Sequence, residues 1–230
     1  MTTYQQYQKL YPRLFSNQGA YIRVCLNPDH IQSWQINQSE CLLKEGRAPS
    51  EAEIGVVYQD KYITLLRDLV EYPDGSHGSY LRLLNTAQNP DGQGVVVLCV
   101  YNGKILLMRQ YRHPVRAYSW EFPRGFAEPG STSQQQARTE VLEEVQGVID
   151  QLVPLGAYHS NTGLDGNSTQ LFLATLTQVG CGNTREGILE LRWVNPTEIE
   201  QLIATSQVMD GFTIAAYTRA KLNGLLDTLT

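Results

Sequence analysis

The run VVVLCVY, Val95–Tyr101, constrains this chain more than any other segment. It is an unbroken, largely β-branched apolar stretch, far too short to cross a bilayer as a helix. Such a run reads as a strand covered on both faces, so it belongs inside a sheet with a layer on either side. Asn102-Gly103 follows as a hairpin signal, and KILLMRQYR (Lys104–Arg112) reads as the return strand. SWEFPRGF (Ser119–Phe126) is extended and leads to STSQQQARTEVLEEV (Ser131–Val145), which reads as a helix stopped at Gln146-Gly147. LVPLGAY, STQLFLATL and ILELRWV (Ile188–Val194) are further strands; two helices, Thr197 to about Ser206 and about Asp210 to Leu226, close the chain. The expected fold class is α+β, with a mixed sheet between helices in an α-β-α sandwich.

The segment ahead of this block has a different character. Residues 1–45 form a polar and aromatic extension, expected to be helical in part. Its Tyr4, Tyr7, Tyr11 and Phe15 recur at near-helical spacing, as a packing face would. Lys44–Glu53 reads as a linker. Ile54–Leu66 and Tyr80–Leu84 are β-type runs, so residues 46–90 are expected to form a small N-terminal sheet domain before the main domain at 91–230. Asn89–Gly94 reads as a loop.

Charge and cysteine usage limit what the chain can do. A net charge of −5 with no Lys/Arg run argues against a binder of nucleic-acid backbones. An anionic substrate must then be gathered by a few placed arginines or by metal. Cys25, Cys41, Cys99 and Cys181 form no C-x-x-C pair, which argues against a zinc knuckle or a redox motif and for free thiols in a reducing compartment. The N-terminus lacks an apolar signal core, so the expected setting is cytoplasmic with no membrane partner.

The chemistry concentrates on the helix at Ser131–Val145. Thr132 with Gln135, or Ser131 with Gln134, fits a capping box, and the sequence leaves both registers open. Ala137, Val141 and Val145 lie on one stripe at i, i+4, i+8. Glu140, Glu143 and Glu144 share an arc of roughly 100° beside that stripe, partly shielded by the core. Arg138, the only basic residue of this segment, lies roughly 160° from Glu140 and so cannot neutralise the cluster. A hard divalent cation such as Mg²⁺ or Mn²⁺ suits three carboxylates in that position. Taken alone, such a triplet is an ordinary solvated helix face.

The upstream context changes that. Gly125–Gly147 resembles the Nudix box, G-x5-E-x7-R-E-U-x-E-E-x-G-U, with U a bulky aliphatic residue. Gly125, Glu140, Val141, Glu143 and Glu144 match in register without a gap. ILLMRQYRHPV, WEFPRGFAEPG and ILELRWVNPTEIEQLI resemble the ADP-ribose pyrophosphatase branch, and the likeness runs from about Ile54 to the C-terminus. Three positions depart: Ser131 stands for the family Glu, Thr139 for Arg and Gln146 for Gly. The family Glu and Arg pair with each other. Losing both strands no charge, so a Ser–Thr contact is expected in their place. A helix one residue longer is expected to explain Gln146.

The resemblance implies a set of roles. Glu140 and Glu144 bind metal, Glu143 is a further ligand or orients water, and the backbone carbonyl of Arg124 is an added ligand. Arg112, Glu121 and Gly125 fall at positions that line the substrate pocket. Glu186 is the candidate general base, with Glu190 second. The implied reaction is metal-dependent hydrolysis of a nucleoside diphosphate sugar, ADP-ribose to AMP and ribose 5-phosphate, with Mg²⁺ or Mn²⁺ as cofactor. Tyr158–Ser168 lacks the proline usual in ADP-ribose enzymes, which leaves other sugar nucleotides or a dinucleotide open as substrates. That loop is expected to contact the substrate, with His159 as a phosphate ligand or an acid. Ile54–Leu84 resembles the small sheet through which this branch pairs subunits, implying a homodimer. The competing reading is a non-hydrolytic nucleotide-sugar sensor on the same fold.

Overall fold

The structure is a computed structural model and describes residues 3–85, 94–126, 128, 130–227 and 229. The expected loop at Asn89–Gly94 lies outside the described residues except for Gly94. By their contacts the residues fall into two compact units, Met1–Thr86 with Asn161–Gly166, and Ala87–Ser160 with Asn167–Thr230. The contacts therefore do not divide at residue 45: the N-terminal extension and the small sheet share one unit.

That first unit holds α1 (Thr3–Leu10), β1 (Arg23–Val24), α2 (Pro28–Lys44), β2 (Gly55–Gln59), β3 (Ile63–Glu71) and β4 (His77–Asn85). β3 is the centre of an antiparallel sheet, flanked by β4 on one edge and by β1 and β2 on the other. The run expected as one strand from Ile54 to Leu66 is a hairpin. Asp60 makes the turn by accepting the backbone N–H groups of Tyr62 and Ile63 at 2.7 and 2.8 Å. The expected linker is also folded, with a 3-10 turn at Pro49–Ala52 and Ala52 fully buried. The aromatic stripe packs inward as expected: Tyr4, Tyr7 and Phe15 join Leu66 and Leu84 in one core. Beside it, buried Asp68 accepts the Tyr4 hydroxyl and is gripped by the Nε and Nη2 of Arg82.

The second unit contains a mixed sheet. β5 (Gly94–Tyr101) is buried along almost its whole length, as a doubly covered strand must be. It turns through Asn102 and Gly103, both at positive φ, into β6 (Lys104–Arg112). The β5–β6 ladder is confined to Val100↔Ile105 and Tyr101↔Lys104. Beyond it the strands splay. β7 (Ala117–Glu121) pairs with β6 and β8 (Arg124–Phe126) with β5, so one extended run wedges between them. The rest of the sheet is β9 (Val148–Tyr158), β10 (Thr169–Gln178) and β11 (Ile188–Val194), in the order β11-β6-β5-β10-β9, with β10 parallel to β5.

Alternate β5 residues feed opposite cores. Val95, Val97 and Cys99 pack with Ala137, Val141 and Val145 of α3 (Ser133–Val145). Val96, Leu98 and Val100 pack with Ile199 and Leu202 of α4 (Pro196–Ala204) and Ala216, Tyr217 and Ala220 of α5 (Gly211–Leu222). The unit is the expected helix–sheet–helix sandwich. Its wedge segment lies in mid-sheet, directly before α3.

Candidate active site

Thr132 caps α3: its Oγ1 accepts Gln135 N–H at 3.2 Å, while Gln135 Oε1 accepts Thr132 N–H at 2.9 Å. This settles the capping register. Ala137, Val141 and Val145 are fully buried, which fixes the rotation of the helix; each valine contributes about 1.5–3 kcal/mol of burial. Arg138 turns away, with Nη1 donating to the Ile149 carbonyl at 2.9 Å.

With the stripe so placed, Glu144 is drawn inside at 2% exposure and its Oε2 accepts the backbone N–H of Arg124 at 2.9 Å. Glu140 is half-buried and its Oε1 accepts Gln136 Nε2 at 2.7 Å. Gly125 lies against it: a Cβ there would sit 1.9 Å from Glu140 Oε1, so only glycine permits this approach. Glu143 is exposed on the outer side of the arc.

Burial is the largest influence on Glu144 and, with the charges of Glu140 and Glu186, pushes its carboxyl up to about 8, the Arg124 N–H offsetting only part. Glu140 is also raised, first by burial and then by Glu143, Glu186 and Glu128, against the Gln136 hydrogen bond. Among the described residues, no Lys or Arg side chain hydrogen-bonds either carboxylate.

Glu121 is the opposite case. It is 1% exposed, and its Oε2 accepts Arg112 Nε at 2.9 Å, Arg112 Nη2 at 2.5 Å and Arg124 Nε at 3.0 Å. Burial alone would raise this carboxyl; the Arg112 hydrogen bond and the charges of Arg124 and Arg112 outweigh it and hold it below its ordinary value. This enclosed side chain holds the two arginines together. Asp210 adds to the clamp: it caps α5 through Thr213 N–H at 2.8 Å and its Oδ1 lies 3.6 Å from Arg124 Nη2.

Glu186 lies on a 3-10 turn, Thr184–Glu186, with its Oε1 accepting Asn183 Nδ2 at 3.1 Å. Asn183 in turn donates its N–H to the Glu144 carbonyl at 2.8 Å, tying this turn to α3. Glu190 instead faces Arg109 across the ladder, 3.9 Å away. His159 is exposed, with Nδ1 2.9 Å from the Asn167 carbonyl. The middle of the expected substrate loop is not free: Leu83 N–H donates to the Leu164 carbonyl and Gly166 N–H to the Leu83 carbonyl, so 161–166 is pinned to β4.

Glu140, Glu144 and Glu143 offer oxygen donors only, and among the described residues no Lys or Arg side chain pairs with the two shielded carboxylates. That donor chemistry fits a hard divalent cation. Residues 90–213 match the family model of the NUDIX domain.

The chain belongs to the Nudix family. The ADP-ribose pyrophosphatase of Bacillus subtilis (strain 168) is 26% identical over 118 residues, a match that covers 51% of this chain and 61% of that relative. A crystal structure of an ADP compounds hydrolase superposes with a TM-score of 0.64 at 17% identity, over 75% of this chain and 93% of the other, and shows the shared fold.

One departure from the Nudix box takes an unexpected form. The helix is not a residue longer: it ends at Val145, and Gln146 itself adopts the left-handed conformation at φ 51° that the family assigns to glycine. Beside Ser131, Gln136 forms a bridge that sequence reasoning missed. Gln136 is 3% exposed; its Oε1 accepts Glu128 N–H and Ser131 Oγ, each at 3.2 Å, while its Nε2 holds Glu140. A neutral amide thus ties the loop before the helix to the carboxylate arc. Its i, i+4 spacing to Glu140 was the one available signal.

Proposed function

We propose that this chain is a divalent-metal-dependent pyrophosphatase acting on a nucleoside diphosphate sugar, with ADP-ribose the first candidate. The observation that carries this reading is the pair Glu140 and Glu144, shielded and, among the described residues, hydrogen-bonded by no Lys or Arg side chain, beside the Arg112–Glu121–Arg124 clamp. Held by Glu140, Glu144, Glu143 and the Arg124 carbonyl, Mg²⁺ or Mn²⁺ would neutralise the diphosphate and lower the pKa of a bound water.

The protein's own contribution is positioning and proton transfer. Glu121 holds Arg112 and Arg124 in orientation, so that Arg112, whose side chain is 27% exposed, can meet a phosphate. Gly125 keeps β8 close to Glu140. Glu186 accepts the proton of the attacking water. The charge it exerts on both Glu140 and Glu144 favours it over Glu190. Water oxygen bonds to phosphorus, the anhydride P–O bond breaks, and AMP and ribose 5-phosphate leave.

The small sheet is proposed to pair two copies, supported by exposed Val57, Tyr58, Tyr62, Tyr80 and Leu81 in the first unit. Four free cysteines agree with a reducing, cytoplasmic setting. Among the described residues no helix is long and apolar enough to cross a membrane.

The test is to incubate the protein with Mg²⁺ and ADP-ribose and measure AMP. Glu140→Gln and Glu144→Gln should each lower the rate about 100–1,000-fold. Activity equal to wild type in both variants would refute the site. ADP-ribose binding with no AMP formed, from it or from any other nucleotide diphosphate, would favour the sensor.

A further inference from the structure

The first unit contains a second group of ligating side chains, chemically unlike the glutamates of α3. Cys25, His30 and His77 come from three separate elements, and their Sγ and ring nitrogens lie within 4.8 Å of one another. Each is fixed by its backbone. Cys25 follows β1, and its N–H donates to the Leu69 carbonyl at 2.8 Å, extending the sheet. His30 is in the first turn of α2, where Asn27 Oδ1 caps its N–H at 3.1 Å. His77 opens β4 directly opposite Glu71.

Strand parity agrees with this convergence. Arg23 pairs with Glu71, and Glu71 with His77, so all three side chains share one face of the sheet. Cys25 is two residues on from Arg23 and returns to that face. The His30 and His77 rings meet at 4.6 Å between centroids, at 66° to each other. Among the described residues neither imidazole has a hydrogen bond to its ring nitrogens, and the Cys25 thiol is in no disulfide.

We propose that Cys25, His30 and His77 form a second metal site, which takes one zinc-like transition-metal ion through a thiolate sulfur and two imidazole nitrogens. The chemistry of the donors selects the ion: sulfur and nitrogen suit Zn²⁺ and are poor ligands for Mg²⁺. Tetrahedral Zn²⁺ needs about 3.3 Å between nitrogens and about 3.6 Å between sulfur and nitrogen, from bonds of about 2.0–2.1 and 2.3 Å. With the donors within 4.8 Å of one another, reaching those separations takes an approach of at most about 1.5 Å. Three protein ligands leave the fourth position to water. On binding, the thiol gives up its proton, and the thiolate and Glu71 oppose the charge of the dication and of nearby Arg23. Because the ligands come from β1, α2 and β4, a bound ion would staple the helix to both edges of the small sheet.

The test is spectroscopic, on the full-length protein stripped of metal and titrated with Co²⁺. The expected result, with excess Mg²⁺ present to occupy the α3 carboxylates, is a thiolate-to-cobalt charge-transfer band in the near ultraviolet that saturates at one Co²⁺ per chain, with tetrahedral visible bands, both removed by Zn²⁺. Cys25→Ser should abolish the charge-transfer band. His30→Ala removes an exposed ring but keeps the capped backbone, and should weaken binding about 100-fold. Cys41→Ser/Cys181→Ser should keep the band, and so should Glu144→Gln, which separates this site from the one on α3. The proposal is overturned if no such band forms, if it survives Cys25→Ser, or if it disappears in Cys41→Ser/Cys181→Ser. Should Cys25→Ser fail to fold, His30→Ala decides, and undiminished Co²⁺ affinity there overturns the proposal.

Discussion

Two buried carboxylates, one in each unit, have opposite surroundings. Asp68 is 1% exposed and is satisfied by the Tyr4 hydroxyl and two Arg82 nitrogens. Glu144 is 2% exposed and receives one backbone N–H, with Glu140 and Glu186 adding repulsion. The first arrangement is complete within the protein. The second calls for positive charge from outside it. Burial by itself therefore says little about a carboxylate's task; the identity of its neighbours says more.

The comparison can be broken from either side. Arg82→Leu leaves Asp68 buried against a single hydroxyl, and should cost about 3–5 kcal/mol in urea denaturation. A loss within 1 kcal/mol would mean that the ion pair of the first unit holds nothing together.

Glu144→Gln should have the opposite sign in metal-free protein. The folded-state value of about 8 lies above the ordinary 4.5. Below 4.5 the carboxyl is protonated in both folded and unfolded chains and contributes no difference. Between 4.5 and 8 the folded state keeps a proton that the unfolded chain has lost, so stability falls as pH rises; above 8 the loss is complete. Glu140, Glu186 and the Cys99 thiol face Glu144, with Arg112 the opposing charge. Without metal at pH 8, Glu144→Gln should be more stable than wild type by on the order of a few kcal/mol, and its stability should vary less with pH. Chemical denaturation in EDTA at several pH values measures this, and equal slopes for both proteins would contradict it.

The smallest effect concerns the end of α3. Gln146→Gly relieves a left-handed φ in a residue with a Cβ and should add about 1 kcal/mol to stability. Thermal denaturation would show a higher Tm; a lower one would mean that the Gln146 side chain packed near Gly180 outweighs the backbone strain.

What was legible in the sequence follows from the same physics. The α3 stripe and its carboxylate arc could be read because helical periodicity fixes both from one stretch of chain. The doubly covered strand announced itself by composition. The hairpin at Asp60 was missed because a side chain, without Gly, Pro or Asn, makes its turn. α2 was not resolved as a helix because its Gln-rich sequence carries little amphipathic signal, although Asn27 and Pro28 marked its start. The enclosure of Glu121 and the bridge through Gln136 depend on where the wedge between β5 and β6 meets α3, a tertiary fact with no sequence period. Cys25, His30 and His77 were invisible for the same reason: only the pairing of β1 and β4 with β3 brings them together. The absence of C-x-x-C pairs excluded one pattern of metal site and was silent on a mixed one.

The central claim is that Glu140 and Glu144 of α3 hold a hard divalent cation. Mn²⁺ binding followed by electron paramagnetic resonance at pH 8 tests it most directly, with wild type, Glu140→Gln and Glu144→Gln compared. The account predicts Mn²⁺ bound by wild type and displaced by excess Mg²⁺, with affinity reduced at least about tenfold in each variant. Equal Mn²⁺ binding by all three proteins would contradict it.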